Sequence, residues 1–353
     1  MSIPTLPGVT AKTITTKRLV TRVLFSGPED GIPVLLLHGN TSSATWWEEV
    51  LTSLPPGYRG IAPDLRGFGD ADPAKKIDAR QGMGDLAEDA IALLDYLGIP
   101  KAHIVGNSMG GSVAWRLLMD HPDRFLTAVQ VDPGSPFGFG GTKGLEGAPC
   151  YADFAGSGGG LANPELLKRL AEGDRSTESP FSPRNVLHTL MVKPPFVPAR
   201  EEELISSMMS MHIGPEDNPG GAEKSPNWPF VAPGVWGPAN ALSPKYAGDV
   251  NRLYAVNPKP AILWLRGSHD LLVSDTAMSD PGFLGMQGFI PGWPGQDVFP
   301  PQPMVGQTRR VLEQYAAHGG QYREVVIQDA GHSPFVDNLA GFNNIFHAHL
   351  SKA

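Results

Sequence analysis

Three residues of this chain have the types and settings for covalent chemistry: Ser108 in Gly106-Asn107-Ser108-Met109-Gly110-Gly111, Asp270 in Gly267-Ser268-His269-Asp270, and His332 in Gly331-His332-Ser333-Pro334. A serine hydroxyl is a poor nucleophile until a base removes its proton. It therefore needs an imidazole, and the imidazole needs a carboxylate to orient it. Taken singly, Ser108 can also be read as a helix cap, though less readily than as a nucleophile turn, Asp270 as a turn former and His332 as a surface histidine. What groups them is that each stands just beyond the end of a predicted strand, where a parallel sheet gathers its loops. A second aspartate, Asp132 in Val131-Asp132-Pro133, also follows a strand. Asp270 is favoured because its turn comes directly after the strand, whereas Asp132 before a proline has a sufficient structural job in an Asx-type turn. Both aspartates stay open at this point, since a long stretch containing a Pro/Gly-rich insert at about 279–305 separates Asp270 from His332.

The elements that must position these residues follow from hydrophobic periodicity. Gly-x-Ser-x-Gly acts as a nucleophile turn only between a strand and a helix. Here an apolar run over 102–106 precedes it and a helical pattern over 109–120 follows. Residues 12–25 alternate polar and apolar types and predict two antiparallel edge strands. Pro33 to Leu37 is a continuous apolar run, as in a strand buried on both faces, and ends in His38-Gly39-Asn40-Thr41. A helix carrying Trp46 and Trp47, a strand over 58–63, a helix over 82–97 and a strand over 125–131 complete the first half. Strands over 260–267 and 322–328, a helix over 306–318 and a closing helix with Phe335, Leu339, Phe342 and Phe346 on one face complete the second. Strands alternating with helices predict an α/β fold, a mostly parallel sheet with helices on both faces.

Between 133 and 257 the alternation breaks into a proline- and glycine-dense segment. Helix starts are legible at Asn163-Pro164-Glu165, Ser182-Pro183 and Pro198 followed by Glu201-Glu202-Glu203. This segment is expected to be an inserted, largely helical cap or lid, with 1–132 and 258–353 forming the core. The chain has 353 residues, 41% hydrophobic and 18% charged, with a net charge of −8. That balance, without a basic tract, argues against a nucleic-acid partner and favours a small-molecule substrate. No apolar run reaches the ~18 residues of a membrane span and no secretory leader is evident, so a cytoplasmic location is expected. The single cysteine, Cys150, reads as a small apolar filler. No metal or other cofactor is expected: His347 and His349 lie two apart on a helix and face different directions.

The chain resembles the α/β-hydrolase superfamily. The residues that carry the resemblance are His38-Gly39-Asn40, Asp64-Leu65-Arg66-Gly67-Phe68-Gly69, the Ser108 turn, Gly267-Ser268-His269-Asp270 and Gly331-His332-Ser333. The resemblance implies an oxyanion hole made by the backbone N–H groups of Asn40 and Met109, while His38 and Asp64 are expected to organise loops. The Gly-Asn-Ser-Met-Gly-Gly turn is similar to that of carbon–carbon bond hydrolases acting on ring-cleavage products, although Asn40-Thr41-Ser42-Ser43 stands where those carry glycines. His-Gly-Asn is also similar to haloalkane dehalogenases, which use an aspartate where this chain has Ser108. The expected activity is hydrolysis of a carboxylic ester or lactone through an acyl-enzyme. Carbon–carbon bond hydrolysis on the same triad, or a triad-retaining ligand receptor with slow turnover, are the alternatives. Trp46, Phe137, Phe139 and Trp228 are candidate substrate-binding aromatics.

Overall fold

A computed structural model describes residues 3–351; the first two and last two residues assigned to the core lie outside it. Eight strands form one sheet: β1 (Thr10–Thr15), β2 (Val20–Ser26), β3 (Ile32–Leu37), β4 (Tyr58–Pro63), β5 (Ala102–Asn107), β6 (Phe125–Val131), β7 (Ala261–Gly267) and β8 (Tyr322–Ile327). Their order is β1-β2-β4-β3-β5-β6-β7-β8. β2 runs antiparallel to both β1 and β4, and every later pair is parallel. Burial follows position in the sheet. Central β5 is buried along its whole length, while β1 exposes all but Ile14 and is charged at Lys12, as an edge strand must be to avoid further pairing. The antiparallel start and the parallel remainder agree with the sequence reading.

Helices α1 (Gly84–Tyr96) and α2 (Met109–Asp120) pack beside one another, α3 (Met304–Ala317) packs against β8, and α4 (Leu339–Leu350) packs against the short helix Glu48–Ser53. The closing helix differs from its expected form. Phe335 lies in a separate turn, Pro334–Asp337, because Asn338 adopts φ −139°, ψ 56° and caps α4 by accepting the Gly341 N–H at 3.1 Å. The aromatic face survives the break. Phe335 stacks on Trp47 at 4.1 Å, and Phe342 lies 5.9 Å from Phe335 and 5.3 Å from Phe346, whereas Leu339 is only half-buried.

Residues 133–257 contain helices at Pro164–Glu172, Pro183–Val186 and Glu201–Met209. Asn163 caps the first by accepting the Glu165 and Leu166 N–H groups, as its sequence signal predicts. The third starts at Glu201, leaving Pro198 outside, with its three glutamates at the positive end of the helix dipole. Two-stranded ribbons, such as Ile213–Gly214 with Asn218–Pro219, were not signalled by periodicity because two or three residues are too few to show one.

The insert after β7 is ordered by a buried carboxylate. Asp280 caps the short helix Pro281–Met286, its Oδ2 accepting the Phe283 N–H at 2.8 Å and the Gln302 N–H at 3.2 Å, while Oδ1 has no hydrogen-bond partner among the described residues. Burial pushes this carboxyl up to about 6, against the pull of those N–H donors. Between the unfolded value near 4 and about 6, the folded state therefore binds more protons, and stability falls as pH rises through that window. Asp280→Asn keeps the acceptor and cannot ionise. It should leave stability at pH 4 unchanged and raise it at pH 8 by up to about 3 kcal/mol. Urea unfolding at the two pH values checks this, and an equal effect at both would refute it.

Candidate functional site

Ser108 sits where β5 turns into α2, with φ 53° and ψ −117°, a backbone state costing a non-glycine residue about 1–3 kcal/mol. The turn is tight enough that a Cβ on Gly106 would meet the Gly110 carbonyl at 2.3 Å, and one on Gly110 would meet the Leu37 carbonyl at 2.2 Å. Both neighbours must therefore be glycine. The turn is held by its own backbone: the Ser108 N–H donates to the Val131 carbonyl at 3.0 Å, and the Ser108 carbonyl accepts the Gly111, Ser112 and Gly134 N–H groups. Strain at this residue is thus offset by four hydrogen bonds, and the side chain stays half-exposed.

The β7 and β8 turns bring Asp270 and His332 together, both buried. His332 Nδ1 lies 2.9 Å from Asp270 Oδ2, while Asp270 Oδ1 accepts the Leu272 N–H at 2.7 Å and the Val273 N–H at 3.0 Å. Burial opposes the charge on Asp270, but His332 and these donors outweigh it and hold the carboxyl below its usual range. Asp132 lies within reach of the same pair, with donor atoms of Asp132, Asp270 and His332 all within 4.8 Å of one another. It makes no hydrogen bond to the imidazole among the described residues. Its oxygens accept the Gly267 N–H at 3.0 and 3.3 Å. Asn107 ties the His332 turn to the serine turn, its Nδ2 donating to the carbonyls of Val131 and His332.

After β3, the ring of His38 is fully enclosed. Its Nε2 accepts the Leu65 N–H at 3.0 Å, so Nδ1 carries the proton toward the Gly39 carbonyl at 2.8 Å. Burial pushes its pKa down to about 4, which keeps it neutral. Buried Asp64 accepts two hydrogen bonds from the Arg22 guanidinium and others from the Ala44 and Asp70 N–H groups. Both residues brace loops rather than face open space. Asn40 is half-buried; its Oδ1 accepts the Thr41 N–H at 2.9 Å and the Asn218 Nδ2 at 2.8 Å. Among the described residues, no protein acceptor takes the backbone N–H of Asn40 or of Met109.

Three supporting residues escaped sequence reasoning. Asn218 reaches Asn40 from the inserted segment. Asp337 accepts the Gly331 and Lys193 N–H groups at 2.7 Å each and so holds the His332 turn, and Asn107 links the two turns. Asn218 and Asp337 lie in no pattern, and the contact of Asn107, although it stands inside the serine motif, reaches a turn 225 residues away, so only the fold could reveal these links. The candidate aromatics are dispersed. Trp46 is buried in the main core, Phe137 packs against it, and Phe139 leans on the small cluster of Val273, Ala277 and Met304. Buried Trp228 meets Phe299 edge-on at 4.9 Å and donates to the Pro291 carbonyl, at the seam between the inserted segment and the 279–305 insert. Burial pushes the Cys150 thiol up to about 12, which makes it unreactive at neutral pH.

The strand order, the strained serine turn and the histidine–aspartate pair at the sheet's carboxyl edge together define the α/β-hydrolase fold, and residues 32–144 carry the match to the α/β-hydrolase superfamily. The family model described as alpha/beta hydrolase fold matches residues 32–144. The chain is 35% identical to 2-hydroxy-6-oxo-6-phenylhexa-2,4-dienoate hydrolase of Burkholderia cepacia over 117 residues, which is 32% of this chain and 40% of that protein. It is 33% identical to "Uncharacterized carboxylesterase nap" of Bacillus subtilis (strain 168) over 124 residues, 35% of this chain and 41% of that one. These matches span about two fifths of the relatives' lengths. The crystal structure of carboxylesterase CesB (YbfK) from Bacillus subtilis superposes with a TM-score of 0.59 at 17% identity, covering 98% of this chain and 92% of that one, which is a likeness of fold. The relatives are hydrolases of more than one bond type, and no described helix is long and apolar enough to cross a membrane.

Proposed function

We propose that this protein is a serine hydrolase that cleaves a carboxylic ester or lactone through an acyl-enzyme intermediate. The observation that carries the reading is the strained Ser108 turn, at the same sheet edge as a histidine whose Nδ1 is already engaged by a buried carboxylate. In this reading Ser108 Oγ attacks the carbonyl carbon while His332 Nε2 takes its proton. Asp270 holds the imidazole in the tautomer with hydrogen on Nδ1 and balances the imidazolium. The backbone N–H groups of Asn40 and Met109 stabilise the oxyanion, each contributing ~3–4 kcal/mol on the scale of measured single-donor deletions. The tetrahedral intermediate expels the alkoxide, which leaves with the proton from His332. Water, deprotonated by the same histidine, then attacks the acyl-serine and releases the acid, or the ring-opened hydroxy acid from a lactone.

Residues 133–257 act as the cap over this edge, with 1–132 and 258–353 as the core. Support comes from contacts with loops that follow β3, β4 and β8. Asn218 bonds Asn40, the Gly69 N–H donates to the Ser210 carbonyl, the His212 N–H donates to the Gly67 carbonyl, and the Ser333 N–H donates to the Met191 carbonyl. Access to Ser108 therefore passes the cap, which sets substrate size.

Fluorophosphonate labelling together with a panel of p-nitrophenyl esters and lactones tests the proposal. Stoichiometric modification at Ser108 with ester or lactone turnover is expected. Turnover of a ring-cleavage diketone without ester turnover would move the activity to carbon–carbon hydrolysis. Labelling without turnover of any of these would make the protein a binder.

A further inference from the structure

We propose that Asp132 is a positioning residue: a neutral carboxylic acid whose O–H donates to the carboxylate of Asp270, so that the buried pair carries one proton and one negative charge. This rests on the reading of Asp270 and His332 as the orienting acid and the base.

The two aspartates follow neighbouring strands, β6 and β7, and both are buried, with side-chain oxygens that lie within 4.8 Å of one another. Two ionised carboxylates offer only acceptors, so a bond between them requires a proton on one. The donors decide which. Asp270 already receives three N–H groups, from Leu272, Val273 and the His332 ring, whereas Asp132 receives the single Gly267 N–H shared between its oxygens. Negative charge is favoured where donors are many, so the proton resides on Asp132. The titratable groups facing Asp132 are Asp270 and His332, with polar atoms within 4.8 Å of its own, and Asp337; among the described residues no lysine or arginine bonds to it. Burial first, and the Asp270 charge second, hold the Asp132 carboxyl well above its usual range, in keeping with this assignment.

The role differs from that of a second orienting acid. By donating to Asp270, Asp132 stops that carboxylate from rotating, and the imidazole tautomer is fixed at one remove. Asp132→Asn supplies an amide N–H in place of the O–H and still accepts from Gly267, but cannot ionise. It should keep more than a tenth of wild-type kcat at pH 7 and lack any alkaline loss caused by a second charge beside Asp270. Asp132→Ala removes the donor and should lower kcat by about 10–100-fold with KM unchanged, the range for a hydrogen bond to a charged group. An infrared difference spectrum of wild type minus Asp132→Asn at pH 7 should contain the C=O stretch of a protonated carboxylic acid.

Absence of that band overturns the proposal. So does a loss of more than tenfold in a folded Asp132→Asn, which would give Asp132 the orienting charge, or wild-type kcat in Asp132→Ala. If Asp132→Ala does not fold, the asparagine variant and the infrared band still decide. A near wild-type Asp270→Asn would instead overturn the reading of the triad, leaving the band assignable to Asp132.

Discussion

Ser108→Ala is expected to lower kcat on any ester or lactone substrate by ~10⁵-fold or more, the scale on which removal of a serine nucleophile acts in serine hydrolases. The protein should remain folded. The hydrogen bonds that hold the turn run through the Ser108 backbone, to Val131 and from Gly111, Ser112 and Gly134, and all persist in the alanine variant. A half-exposed hydroxyl contributes little packing, so the change in stability should stay within about 0.5 kcal/mol. Steady-state kinetics on an activated ester and a thermal melt measure both quantities. Retention of a tenth of wild-type turnover would mean that Ser108 is not the nucleophile.

The second-largest effect belongs to Asp270→Asn, which should reduce kcat by ~10⁴-fold, as loss of the orienting charge does in serine proteases. The surroundings make asparagine a poor substitute here. The Leu272 and Val273 N–H groups both point at Oδ1 and select the amide oxygen for that position. The amide nitrogen then occupies the place of Oδ2, 2.9 Å from His332 Nδ1. Two donors cannot face one another, so the imidazole shifts its proton to Nε2 and can no longer accept one from Ser108. A variant within tenfold of wild type, with an intact melt, would show that His332 does not depend on this carboxylate.

The local parts of this arrangement were legible before any fold was known. Glycines at 106 and 110 around a serine, an apolar run before it and helical spacing after it, specify the β5–α2 turn, because close backbone approach leaves no alternative to glycine there. The apolar runs that became β7 and β8 likewise placed Asp270 and His332 at strand ends. Asn163 and Asn218 show the contrast within the inserted segment. Asn163 precedes Pro164 and caps its own helix, a contact two and three residues long, whereas Asn218 holds Asn40 across 178 residues and has no pattern to betray it.

The sequence by itself therefore determined the Ser108 turn and the strand ends, because both arise from backbone sterics and hydrophobic burial acting over a few neighbouring residues. It left two aspartates able to serve the histidine, since β6 and β7 lie side by side and deliver both to one spot. Only the tertiary structure gives them different surroundings. Asp270 meets the Nδ1 of His332 and gathers two further N–H donors in its own turn, while Asp132 accepts only the Gly267 N–H among the described residues. The number of donors converging on a buried carboxylate sets where negative charge can reside, and that number exists only once the strands are paired.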